Sequence, residues 1–159
     1  MSEARPPPAQ PPNEMPRHLV QFLLGGQTCV LATVDDQGRP MTTIMTWVVA
    51  RDPQTLTIAV DVRGRALKNL RQNPHVAVEA LGDDLCYGIR GTAVVEKEQM
   101  QAPPFPCALV ALRVEECRDH GAAGVKFFGP RYHFHPGKEH RAGVEQAVFE
   151  ELKGTTPTI

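Results

Sequence analysis

The chain is almost without serine: Ser2 is its only one, and it lies at the N-terminus. A serine-nucleophile hydrolase is thereby excluded. Cysteine is sparse and unpaired in pattern. Cys29, Cys86, Cys107 and Cys117 form no Cys-x-x-Cys pair, so neither structural zinc nor a disulfide framework is expected. Three of the four fall in predicted strands, where a free thiol behaves as a small apolar residue. No apolar run is long enough for a membrane span, and no charged-then-apolar leader opens the chain. The expectation is a cytoplasmic protein with no membrane partner. A net charge of −1 and a pI near 6.6 give no global attraction to nucleic acid. The basic residues are not interleaved with an aromatic platform, so a nucleic-acid partner is not expected. No repeat and no paired-carboxylate acid–base arrangement stands out. Any anion site must be local.

At 159 residues one folded domain is expected. Residues 1–16 carry Pro6, Pro7, Pro8, Pro11, Pro12 and Pro16 without apolar periodicity, the composition of a disordered tail. The folded domain is placed at 17–153, with a second tail at 154–159. Residues 17–24 read as a short helix with Leu19, Phe22 and Leu23 inward, stopped by Gly25-Gly26. Strands are predicted over 28–34 and, as one long element, over 41–50, joined by the hairpin chemistry of Asp35-Asp36-Gln37-Gly38. Residues 56–60 have the period of a half-buried strand, followed by a short helix with Leu67 and Leu70 inward. Asn73-Pro74 ends that helix. Further strands are expected over 75–80, 85–95 and 107–115, and an irregular last one over 124–135. Val144, Ala147, Val148 and Leu152 recur at helical spacing, giving a closing amphipathic helix over 143–153. Short strands, tight turns and small helices argue for a mainly β protein, an antiparallel barrel of about six strands.

The run Asp61-Val62-Arg63-Gly64-Arg65-Ala66-Leu67-Lys68 is the leading site candidate. It joins a strand to a helix start, where free backbone N–H groups and the helix dipole favour an anion. Two guanidinium groups flank a glycine there, and each can bind phosphate bidentately. A second candidate is Arg131-Tyr132-His133-Phe134-His135 with His140. His133 and His135 alternate by two and would share a face of a strand. Metal or haem ligation is the chemical alternative to plain exposed histidines, and no structural metal is expected. Trp47, Tyr87 and Met45 could pack against a flat ring, or simply fill the core.

The ordered set Leu31-Ala32-Thr33-Val34-Asp35, Gly38-Arg39-Pro40, the following long strand, the arginine-rich helix start, Asn73-Pro74 and Gly91-Thr92-Ala93-Val94-Val95 resembles the FMN-binding split β-barrel family related to pyridoxamine 5'-phosphate oxidase. The resemblance implies an antiparallel split β-barrel and a homodimer with FMN at its interface. It implies an oxidoreductase acting on an unidentified small molecule. By the same resemblance the flavin contacts fall on Thr43, Ile44, Met45 and Thr46, on Ala59 and Val60, and on Gly64, Arg65 and Ala66, with Arg63 and Lys68 as supporting charges. Thr43, Val48 and Ala66 stand where full oxidases carry basic residues. Arg131 and His133 resemble an Arg-x-His pair that binds a phosphorylated substrate. The alternatives are a deazaflavin- or haem-binding barrel, or a barrel that binds a ligand without catalysis.

Overall fold

Alternating apolar residues build one antiparallel sheet of seven strands in the computed structural model, which describes residues 12–154. In chain order the elements are α1 (Arg17–Phe22), β1 (Cys29–Val34), β2 (Pro40–Met45), β3 (Val48–Asp52), β4 (Thr55–Asp61), α2 (Arg65–Gln72), β5 (His75–Gly82), β6 (Leu85–Lys97), β7 (Cys107–Asp119) and α3 (Arg141–Lys153). Across the sheet the order is β2-β1-β5-β6-β7-β4-β3. Its two edge strands are therefore consecutive in the chain, joined only by Thr46-Trp47. The sheet must curl until its edges meet at that link, which is the split of the barrel.

The expected single strand over 41–50 is thus two strands. Met45 pairs with Cys29 of β1, whereas Val48 pairs with Ile58 of β4. Thr46 and Trp47 leave the ladder because the chain changes partners there. A hydrogen bond from Ala59 N–H to Trp47 O, at 3.1 Å, bridges the gap.

One core fills the barrel, built from Leu31, Ile58, Val78, Ile89, Val110 and Leu112 among others. A second lies on the opposite face of β3, β4 and β7, where Val49, Ala59, Leu109, Val148, Phe149 and Leu152 meet beneath α3. Two cores correct the reading of residues 56–60 as half-buried, since all five are buried. The cover is α3. Thr57 Oγ1 lies 2.9 Å from Leu152 O and 3.2 Å from Val49 O, so the buried hydroxyl has acceptors on the helix and on the sheet. Glu151, 3% exposed, accepts from the N–H groups of Gln101 and Ala102 at 2.9 and 2.8 Å and from Lys97 Nζ at 3.2 Å. Gly25, at φ +113°, packs flat on the Phe149 ring, and a Cβ there would lie 2.4 Å from Phe149 Cγ.

Two further expectations are corrected. Residues 124–135 form no strand. They are held to the β5–β6 turn by isolated contacts: Asp84 N–H donates to Phe127 O, and Asp83 accepts from Gly129 N–H and pairs with Arg131. A Cβ on Gly129 would come 2.7 Å from Gly82 Cα, so this close approach takes the place of a ladder. Residues 12–16 also belong to the folded unit. Met15 is 2% exposed and its N–H donates to Pro53 O at 2.8 Å, while Pro12 O accepts from Cys117 N–H. Pro12 and Pro16 fix extended backbone suited to that path. The rest of the predicted tails, 1–11 and 155–159, lies outside the described residues.

Candidate functional site

Where β2 breaks from β3, the end of the sheet and α3 enclose a cavity of about 610 Å³. Thr43, Ile44, Met45 and Thr46 line one side and Ala59 the floor, five of the residues expected to contact the cofactor. Trp47 is brought in by the break itself, because leaving the ladder frees its side chain from the sheet. Its ring stacks on Phe105, with centroids 5.4 Å apart and planes 18° from parallel. Phe105 sits in the proline-bounded connection between β6 and β7, where Pro103, Pro104 and Pro106 restrict the backbone.

The other wall comes from the last part of the chain. Tyr132 and Phe134 face inward, while Arg131, His133 and His135 alternate outward and are exposed. The first turns of α3 add His140, Arg141, Val144 and Glu145. Glu145 ties the two walls together: Trp47 Nε1–H donates to Oε2 at 2.6 Å, and Tyr132 O–H donates to Oε1 at 3.0 Å. Burial, reinforced by the Glu145 carboxylate, pushes the Tyr132 hydroxyl up to about 12. It stays protonated as a donor. Burial likewise lifts the thiol of Cys107, which lines the floor, to about 11. That excludes a thiolate nucleophile at neutral pH.

The arginine-rich turn lies at the rim. Asp61 lines the cavity and holds Arg63 bidentately, with Nε–Oδ1 at 3.0 Å and Nη2–Oδ2 at 2.8 Å. The guanidinium also lies 5.4 Å from the centre of the Phe105 ring. Hydrogen bonds from Arg63 hold the Asp61 carboxyl below the usual carboxylate range. Arg63 is therefore well placed but already neutralised. Arg65, exposed at the first position of α2, makes no ion pair among the described residues, and neither does Lys68. Gly64 has φ −84°, an extended conformation open to any residue, so its flexibility is not what shapes this turn. Val60 and Ala66 are 2% and 6% exposed, with side chains in the barrel core. Strand alternation sends Val60 away from Ala59 and Asp61, and only the backbone of Val60 and Ala66 is left for a ligand.

Two sequence candidates fall elsewhere. Tyr87 is on β6, its hydroxyl 3.0 Å from His18 Nε2, and it does not line the cavity. Arg131 is engaged with Asp83 rather than turned to the cavity. Conversely Phe105, Arg141 and Glu145 are additions, whereas Tyr132, Phe134 and His140 come from the second candidate run, of which Arg131, His133 and His135 do not reach the cavity. Only Phe105, a lone aromatic among prolines, carries a visible signal. Glu145 reads as an ordinary polar position on a helix.

Residues 15–120 match the family model described as pyridoxamine 5'-phosphate oxidase. Among solved structures, the chain is similar to a candidate pyridoxamine 5'-phosphate oxidase from Lactobacillus delbrueckii, at 25% identity and a TM-score of 0.57, covering 67% of this chain and 94% of that one. An F420 reductase matches with 17% identity and a TM-score of 0.54, over 65% of this chain and 98% of that one. HutZ, the haem storage protein from Vibrio cholerae, matches with 18% identity and a TM-score of 0.53, over 73% and 97%. No curated protein matches the chain. The wall from Tyr132 to Glu145 lies beyond the family-model span.

Proposed function

The chain belongs to the pyridoxamine 5'-phosphate oxidase family, and from that premise we propose that it is a homodimeric FMN-binding oxidoreductase whose flavin ring lies in the cavity between β2 and α3. The carrying observation is the cavity itself. Its volume of about 610 Å³ falls within the roughly 300–1,000 Å³ of small-molecule and cofactor sites. One wall is the stacked Trp47–Phe105 pair, and the rim leads to the arginines at the start of α2. A flat apolar slot beside an anion-favouring helix start suits a ring that carries a phosphate.

When bound, FMN supplies the redox chemistry. The residues of the chain would hold the phosphate at Arg65, orient the ring against Trp47 and Phe105, and exclude water with Phe134 and Val144. A second subunit enters this reading at β2. Ile44 lines the cavity yet is 71% exposed, so a partner covering β2 would also close the site. Val30, Ala32 and Ala77, half-buried on the same outer face of the sheet, would continue that contact.

The haem alternative has one observation in its favour, His140 on the cavity wall, and a deazaflavin would occupy the same slot as FMN. The visible spectrum of the purified protein, repeated after adding FMN, distinguishes these. Two flavin bands and quenched flavin fluorescence are expected. A Soret band, or no response to FMN, overturns the flavin reading. Bound flavin with no turnover of any electron donor supports a ligand-binding barrel without catalysis.

A further inference from the structure

We propose that Glu145 is the specificity-determining acceptor of the cavity, selecting a planar ring that presents an N–H edge. Its two partners, Trp47 Nε1–H and Tyr132 O–H, are neutral donors, so neither forms an ion pair with the carboxylate. Among the described residues it makes no ion pair, and Arg141, one helical turn earlier on the same wall, does not supply one. Two donors leave about half of a carboxylate's acceptor directions unused. Glu145 also lines the cavity, beside Met45, Phe134 and Val144.

A charged acceptor with spare lone pairs in apolar surroundings favours a ligand that brings a donor to it. The stacked Trp47–Phe105 wall requires that ligand to be flat. Trp47 contributes to both features, so ring plane and acceptor are set by one side chain. A ring edge bearing only oxygen acceptors, or a carboxylate substituent, would meet like charge and be rejected. For FMN, an inference resting on the reading above, the selected edge is the imide N3–H. Glu145 is carried by α3, beyond the family-model span.

The test is fluorescence-quenching titration of FMN and N3-methyl-FMN against the wild type and Glu145→Gln, with thermal unfolding as a check on folding. In the wild type, methylation should weaken binding about ten- to a hundredfold, the worth of one charge-assisted hydrogen bond. Glu145→Gln should weaken FMN by about tenfold and leave N3-methyl-FMN unchanged, because a similar shape is kept while the charge is lost. Equal wild-type affinity for both probes overturns the proposal, and so does a Glu145→Gln variant that keeps full affinity for FMN. Either result leaves FMN binding itself standing. If FMN fails to bind, lumichrome, the bare ring with its imide N–H, decides. Stabilisation of the wild type by lumichrome but not by 1,3-dimethyl-lumichrome, which has lost both ring N–H groups, upholds the role of Glu145 and removes the mononucleotide reading. Indifference to both removes the two together.

Discussion

Trp47 and Glu145 stand 98 positions apart in the chain and meet through a 2.6 Å hydrogen bond at the split of the barrel. The bond joins the point where the sheet changes edges to the helix that covers its outer face. Cavity shape and α3 docking are consequently coupled. Trp47→Phe keeps an aromatic ring against Phe105 and removes only the N–H. It should lower stability by about 1 kcal/mol, seen in urea unfolding followed by circular dichroism, since Trp47 is the only tryptophan. An unchanged midpoint would show that the bond does not hold the helix.

Thr57 anchors the other end of α3. Thr57→Val has nearly the same shape but no hydroxyl to donate to Leu152 O or Val49 O. The expected cost is about 1–2 kcal/mol. Hydrogen exchange should quicken in α3 before it quickens in β6 and β7, the most extensively paired strands. Uniform quickening across the sheet would mean that Thr57 supports the barrel rather than the helix.

Glu151 makes this docking sensitive to acid. Burial works to raise its carboxyl, but the N–H groups of Ala102 and Gln101 and the Lys97 ammonium outweigh that and hold it below the usual glutamate range. A folded-state pKa below the unfolded one adds stability at pH values above the unfolded value, and that stability drains as pH falls through the folded value. Glu151→Gln should cost about 1–3 kcal/mol near neutrality. Its midpoint should then fall less steeply than the wild type's below about pH 4.3, the ordinary glutamate value. Parallel acid limbs for the two proteins would remove Glu151 from the account.

Much of this architecture is legible in the sequence, for local reasons. β1, β5 and β6 alternate because one face of each meets the barrel core, and Gly38 at φ +75° serves the hairpin expected of it. What escapes is set by distant contacts. Strand-forming residues run through Thr46 and Trp47 without interruption, and only the exchange of partners across a curled sheet divides them. Thr57 and Ala59 read as a solvent face until α3 is laid over them. The aromatic and histidine alternation from Arg131 to His135 is strand-like, yet the segment joins no ladder and is held instead by isolated contacts such as Arg131 with Asp83 and Tyr132 with Glu145. Five of the eleven expected contacts line the cavity and the Arg63–Lys68 stretch lies at or beyond its rim, while of the second wall only Tyr132, Phe134 and His140 fall in a run that the sequence singles out, and Arg141 and Glu145 have no local signature.

Ile44 carries the oligomer prediction. Its side chain is 71% exposed on an edge strand, an unusual place for a large apolar group. Ile44→Asp should convert a dimer to a monomer in light scattering at micromolar concentration and weaken FMN, because the partner would no longer close the cavity. A wild type that is already monomeric sinks the prediction outright.

The phosphate anchor divides unequally between Arg63 and Arg65. Both flank the start of α2, where backbone N–H groups and the helix dipole favour an anion. Arg63, however, is spent on Asp61, at 2.8 Å from Nη2 to Oδ2, while Arg65 has no ion pair among the described residues. Arg65→Ala should therefore weaken FMN about ten- to a hundredfold, the loss of one charge-assisted hydrogen bond, and leave riboflavin nearly unaffected. Arg63→Ala and Lys68→Ala should each cost clearly less, the second because Lys68 lies a turn into the helix. Asp61→Asn should act in the opposite sense, tightening FMN by releasing the Arg63 guanidinium toward the phosphate. Titrating both flavins against these four variants checks the order. If Arg65→Ala weakens riboflavin as much as FMN, the residue supports the fold or the ring, and the phosphate lies elsewhere. If Asp61→Asn weakens FMN, the Asp61–Arg63 pair is needed intact to hold the rim, and its neutralised state is part of the site.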